Sequence, residues 1–185
     1  MNYMGIDPGN EQSAYIMIRQ DGLPVRDVGD VLEGGKVRNR ELLRTVRDLA
    51  ALKRAMQPII VGIEMVASYG MPVGKSVFDT ARWTGRFEEA ARGLETYLVY
   101  RKSPNKDNGI DSVCMHLCKS TRAKDSNVRQ ALIDRYETTG GGKIPQIGTK
   151  SKPGPLYGIS ADVWSALAVA ITLKDCLARA PRSGS

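Results

Sequence analysis

The chain has 185 residues, 42% of them hydrophobic and 25% charged, which suits one soluble domain with a core that needs no disulfide or metal staple. Lys and Arg total 27 against 20 Asp and Glu, and the resulting +7 points to an anionic partner without naming it. No run approaches the roughly 18 apolar residues of a membrane span, so membrane, fibrous and secreted classes fall away. The opening, MNYMGIDPGNEQ, lacks the cationic region of a signal or transit peptide. Cys114, Cys118 and Cys176 are odd in number and form no CxxC pair, which fits a reducing cytoplasm with the thiols as small buried hydrophobes. The sole histidine, His116, lies between the first two; that cluster is too small for structural zinc, which takes four ligands. The expected organisation is one domain over 1–180 and a flexible tail over 181–185.

In chain order, Tyr3 to Asp7 and Ala14 to Ile18 read as strands, Val25 to Leu32 as a weaker third, with Gly9-Asn10 and Asp21-Gly22 supplying the turns. From Arg38 to Met56, the positions Leu42, Leu43, Val46, Leu49, Leu52 and Met56 form one helical stripe, stopped by Pro58. Ile59 to Glu64 (IIVGIE) is a continuous apolar run, the mark of a buried strand. A second helix is predicted from Ser76 to Ala91, a strand over Thr96 to Tyr100, and short helices over Val113 to Lys119 and Lys124 to Glu137. Thr138 to Gly158 holds six glycines, three prolines and three lysines, and a loop that long is usually functional or disordered. Ala161 to Ala180 is a strongly apolar helix with Ser160 placed to cap it. Strands first, then strands alternating with helices, make a mixed α/β sheet.

Three isolated acids sit at element ends. Asp7 closes the first strand before Pro8-Gly9, Glu64 closes IIVGIE, and Asp162 lies in the first turn of the last helix. Each has an ordinary explanation: a turn former, a solvated strand end, or a charge at a helix N-terminus worth roughly 0.3–1 kcal/mol. If the first two strands are neighbours, however, both carboxylates leave the sheet at one edge, and a helix across that edge brings Asp162 alongside. Three such acids need cations to stay ionised. Mg²⁺ or Mn²⁺, which take oxygen ligands, suit them, and two ions roughly 4 Å apart would hydrolyse a phosphodiester.

GIDPG at Gly5–Gly9, IE at Ile63-Glu64 and SADVWSALAVAIT at Ser160–Thr172, in that order, resemble the RuvC family of Holliday-junction resolvases. The variant segments, the long Lys/Gly/Pro loop among them, look more like its phage and prophage branch. The resemblance implies an RNase H-like fold with a five-stranded mixed sheet flanked by helices. It further implies a homodimer and divalent-metal hydrolysis of branched DNA, with two Mg²⁺ or Mn²⁺ per site and no small-molecule cofactor. By that resemblance Asp7, Glu64 and Asp162 are metal ligands and catalytic. The family's fourth acid falls at Ser165, which brings no charge; three acids suffice, or metal affinity is weaker, or the chain is inactivated. Asp175 lies too far along the helix to substitute. Of two family lysines near the scissile phosphate, Lys124 matches one. The other falls at Cys114, with Lys119 a stand-in.

For DNA contact, Tyr69 is the aromatic on the loop after Glu64, where stacking a base is worth roughly 1–3 kcal/mol; its ordinary role is to cover the next helix. Lys75 precedes that helix, which carries Arg82 and Arg86, able to read phosphates on one face and form a dimer seam on another, or simply to form a solvated face. Lys143, Lys150 and Lys152 put a mobile basic loop near the last acid. Trp164 and the Leu167/Ile171 stripe read as core. The expectation is a crossover-junction endodeoxyribonuclease acting as a symmetric dimer, with a junction-binding protein of weakened or lost activity as the alternative. An ATP-using actin-like domain, the other reading of GIDPG, needs a second domain for which 185 residues leave no room.

Overall fold

The computed structural model describes residues 1–26, 32–52, 57–67, 73–103 and 107–179. Its strands are β1 (Asn2–Asp7), β2 (Gln12–Arg19), β3 (Gly34–Arg38), β4 (Ile59–Met65) and β5 (Glu95–Tyr100). They form one mixed sheet in the order β3-β2-β1-β4-β5, with β3, β2 and β1 antiparallel and β1, β4 and β5 parallel. The helices are α1 (Asn39–Leu52), α2 (Lys75–Ala90), α3 (Val113–Cys118), α4 (Asp125–Ile133) and α5 (Val163–Arg179).

Because successive strand residues face opposite ways, each strand feeds two cores. Met4 and Ile6 of β1 join Val61 and Ile63 of β4 under Leu42, Leu43 and Val46 of α1 and Phe87 of α2. On the other face, Tyr3, Ile16, Ile18 and Ile60 pack beneath α5, which α3 and α4 flank through Cys114, Val128 and Leu132. Helix α5 is buried almost all round from Val163 to Leu173, as its uniform apolarity requires.

Gly5 and Gly62 let it come so close. A Cβ at Gly5 would lie 2.0 Å from the Ala166 carbonyl oxygen, and one at Gly62 would lie 3.0 Å from the Val169 side chain. Gly5 and Gly62 are thus the seat of α5, and that seating lowers its N-terminus onto the sheet edge.

Three boundaries differ from expectation. The third strand is Gly34–Arg38, not Val25–Leu32; of the latter's described residues Arg26 and Leu32 form one isolated antiparallel bridge, and 27–31 lie outside the described residues. Five paired positions, Gln12↔Arg38 to Ile16↔Gly34, override the weak strand propensity of Gly34-Gly35. Helix α4 stops at Ile133, leaving Tyr136 to donate its hydroxyl proton to the Gly22 carbonyl at 2.8 Å. Helix α5 starts at Val163: Asp162 precedes it, its carbonyl accepting from Ser165 and Ala166, and the Ser160 carbonyl accepts from Val163.

The Thr138–Gly158 segment has no helix or strand but is folded on itself, with Gly140 donating to Pro145, Gly141 to Lys152 and Gly154 to Ile147. Backbone hydrogen bonds thus hold this segment without regular secondary structure. Among the described residues, no helix is long and apolar enough to cross a membrane. The expected tail, 181–185, lies outside them.

Candidate active site

Strand register assembles the site. Ile6 pairs with Ile63 in parallel, so Asp7 and Glu64 follow side by side at the same edge. Asp7 also pairs with Ala14, and Ala14 with Lys36. One row across the sheet therefore reads Lys36, Ala14, Asp7, Glu64, and alternation turns it toward α5. Two residues beyond Val99, the partner of Glu64, comes Arg101. Above the row, α5 presents Asp162 just before its first turn and Ser165 within it.

The turn after Asp7 is pinned. Gly9 N–H donates to Ser13 Oγ at 3.1 Å, Ser13 Oγ donates to Asn39 Oδ1 at 2.6 Å, and Asn39 Nδ2 donates back to the Gly9 carbonyl at 2.9 Å. Ser13 and Asn39 are buried, so the network fixes the end of β1 against the start of α1.

The electrostatics are those of crowded acids. Burial, then the charge of Asp162, raises the Asp7 carboxyl to about 6, while Arg101, a hydrogen bond from Ser165 and Lys36 pull it back. Glu64 is pushed up to about 8 by burial first and by Asp7 second, with Arg101 opposing. Arg101 Nη1 lies 3.7 Å from Glu64 Oε2 and its other amino group pairs with Asp125; at 16% side-chain exposure it is a half-sequestered cation. Lys36 Nζ pairs with Asp162 Oδ2 at 2.6 Å in an exposed setting. Ala161, at φ +43°, turns the chain sharply into Asp162.

Beside the row is a cleft of about 470 Å³ lined by Arg101, Asp125, Arg129, Asp162, Trp164 and Ser165. Arg129 lies over the Trp164 ring at 4.9 Å, which gives that core residue one working face.

The remaining expected residues scatter. Lys124 is exposed and opens α4, its N–H donating to Asn127 Oδ1 at 3.0 Å. Lys119 caps the end of α3, its ammonium 3.1 Å from the His116 carbonyl. Lys75, Arg82 and Arg86 are exposed on α2, with Arg86 over Trp83 at 4.2 Å, and Lys143, Lys150 and Lys152 are exposed on the Thr138–Gly158 segment. Tyr69 lies outside the described residues.

Lys36, Arg101 and Arg129 are the residues that sequence reading missed. Arg101 directly follows its strand at the same edge as Asp7 and Glu64, so the rule that found the acids would have found it had it been applied to cations. Lys36 was hidden by the misplaced third strand; in the true register it falls on the Asp7 face.

The fold that carries these residues is similar to that of solved proteins. Thermus thermophilus RuvC matches over 93% of this chain and 92% of that one, at 19% identity and a TM-score of 0.54. T. thermophilus RuvC in complex with Holliday junction substrate matches over 97% and 95%, at 18% identity and a TM-score of 0.55. The fold is RuvC-like. The RNase H-like architecture, a mixed five-stranded sheet flanked by helices, is thus established over nearly the whole chain. The sequence itself matches no protein-family model and no curated protein.

Proposed function

We propose that the chain is a metal-dependent endonuclease that nicks Holliday junctions and related branched DNA as a symmetric dimer, by two-metal-ion phosphodiester hydrolysis. The observation that carries this reading is the acid row Asp7–Glu64, with Asp162 brought over it, at one edge of a RuvC-like sheet. Glu64 Oε2 is buried and without a hydrogen-bond partner, and the donors beside it are carboxylate oxygens, a set that suits Mg²⁺ or Mn²⁺. Asp7, Glu64 and Asp162 would hold those ions. When bound, such ions lower the pKa of a water and offset charge on a phosphate under attack.

The chain's own groups do the rest. Ser165, on the helix above Asp7, favours the ionised form of that carboxylate where a fourth acid would add charge. Arg101 stands in for the lysine that Cys114 replaces: its guanidinium favours the ionised form of Glu64 and adds fixed positive charge beside the cleft. Lys124, at the head of α4, is the second cation. Lys75, Arg82, Arg86, Lys119, Lys143, Lys150 and Lys152 supply phosphate contacts, which set affinity rather than sequence preference, and Tyr69 is the stacking aromatic.

A second reading, a junction-binding protein with weakened chemistry, is favoured by one observation. Asp162 is paired with Lys36, and the three acids do not all approach within 4.8 Å of one another.

Cleavage of a synthetic four-way junction in Mn²⁺ separates the two. Asp7→Asn is expected to lower cleavage at least about 100-fold, the scale on which one electrostatic stabiliser acts, while binding is kept or tightened because a negative charge near the phosphates is gone. Cleavage by Asp7→Asn at the parental rate would remove this active site. Binding without cutting in both parent and Ser165→Asp would establish the second reading.

A further inference from the structure

We propose that Asp111, His116 and Cys176 form a metal site of a different kind, one that takes a borderline-soft divalent cation of the zinc class and clips α3 to α5. Among the described residues this is the group of His, Cys, Asp and Glu whose ligand atoms all lie within 4.8 Å of one another. Asp111 precedes α3, His116 is buried on it, and Cys176 lies on the C-terminal half of α5. Cys176 is eleven residues beyond Ser165, about 16 Å along the helix at 1.5 Å per residue, so this is not the acid edge. The site does not depend on the nuclease reading.

The spacing is that of a tetrahedral centre. Zinc at about 2.0 Å from nitrogen and oxygen and about 2.3 Å from sulfur sets edges of roughly 3.3 Å for N···O and roughly 3.6 Å for N···S. His116 Nδ1 stands 3.6 Å from Asp111 Oδ2 and 3.9 Å from Cys176 Sγ. Both edges at the imidazole close by about 0.3 Å, and the third, between Asp111 and Cys176, starts within 4.8 Å. Asp111 is half exposed, so the fourth position faces solvent and takes a water.

The surroundings are arranged for a ligating histidine. His116 Nε2 lies 2.9 Å from Asp175 Oδ2, and Asp175 is itself held by Arg135 at 2.5 Å and Lys174 at 2.7 Å. An Nε2–H donated to that carboxylate leaves the Nδ1 lone pair directed at Cys176 and Asp111. A carboxylate behind the imidazole fixes tautomer and ring orientation in this way in metal sites generally. On binding, the cation takes the Cys176 sulfur as thiolate and the imidazole as its neutral form, so the thiol proton and the imidazolium proton are both released to solvent. The group in its way is Arg179, 3.7 Å from Asp111 on an exposed side chain. Cys114 and Cys118 are not part of the centre; Cys114 Sγ turns to the Ala123 carbonyl at 3.7 Å.

The competing arrangement is a proton in place of the metal, with an imidazolium bridging Asp111 and Asp175. Titration of the full chain with Co²⁺ distinguishes the two. The expected result is one equivalent bound with a thiolate-to-cobalt charge-transfer absorption that Zn²⁺ bleaches. The band is kept in Asp7→Asn, Cys114→Ser and Cys118→Ser and lost in Cys176→Ser. Asp175→Asn is expected to weaken Co²⁺ about 10- to 100-fold, and Asp111→Ala, at an exposed position that leaves the core intact, at least about tenfold. No charge-transfer band in the parent overturns the proposal, as does a band that survives Cys176→Ser or an unchanged affinity in Asp111→Ala.

Discussion

At the scale of the residue, Glu64 and Arg101 carry the most consequence. An unfolded Glu64 titrates near 4.5, whereas in the fold its carboxyl is raised to about 8. Between those values the folded, metal-free chain holds a proton that the unfolded chain has released. The stabilisation from this group is therefore full below about 4.5 and drains away as pH rises to about 8. Asp7 repeats the pattern over 3.8 to about 6. Glu64→Gln cannot ionise, so its urea midpoint in chelator is expected to fall less than the parent's across that range. Parallel slopes for parent and variant would mean that Glu64 titrates normally. Arg101 makes the opposite contribution. Removing it leaves the Glu64 and Asp125 charges facing each other uncompensated, so Arg101→Ala should lower junction cleavage by roughly 10²- to 10³-fold and move the rising limb of the pH profile upward. Arg101→Lys should restore part of the rate, since it keeps charge and loses the fork. An unshifted profile in Arg101→Ala would reduce that residue to a structural strut.

At the scale of the element, the decisive contact is α5 on β1. Gly5 has no freedom to become Ala, because the new methyl would meet the Ala166 carbonyl oxygen at 2.0 Å and the Ala170 nitrogen at 2.9 Å. Both are backbone atoms and cannot rotate away, so the helix itself must lift. Gly5→Ala is expected to cost at least about 1–3 kcal/mol, the usual range for overpacking, read as a lowered denaturation midpoint. It should also lift Asp162 and Ser165 from Asp7 and lose metal-dependent activity even where the chain stays folded. Full activity in a folded Gly5→Ala would show that the seat of α5 does not set the site. Legibility in the sequence follows the same logic. IIVGIE, the Leu42/Leu43/Val46 stripe and the apolar α5 were readable because burial writes itself as hydrophobic pattern. Gly34–Arg38 was not, since its strand character comes from pairing with β2 and not from its own side chains. Asp7 and Glu64 were legible as strand-end acids. Lys36 was not, because its place depends on that unreadable register, and Asp111 and Cys176 approach His116 only through the packing of α3 on α5.

At the scale of the whole molecule, the +7 balance and the exposed face of α2 bear on assembly. Thr84, Phe87 and Ala90 turn α2 into the core, while Phe78 remains 67% exposed, flanked by Val77 and by Val73 just before the helix. Lys75 and Arg82 share that outer side at helical spacing from Phe78. A large aromatic left in water amid basic residues suits a seam between two copies, with the cations at its rim free to meet phosphates. The proposed paired nicking would need such a seam, because a two-fold axis presents two acid rows to two strands of one junction. Phe78→Glu removes the aromatic surface of that seam and leaves a carboxylate that dimerisation would have to desolvate, so it should shift the chain to monomer in sedimentation at micromolar concentration. The acid row lies on the opposite face of the sheet from α2, so each monomer should still nick. What should disappear is the coupling of the two cuts, seen as nicked rather than resolved product from a junction carried on a supercoiled plasmid. A Phe78→Glu variant that still sediments as a dimer, or a parent that is monomeric and resolves junctions nonetheless, would place the seam elsewhere.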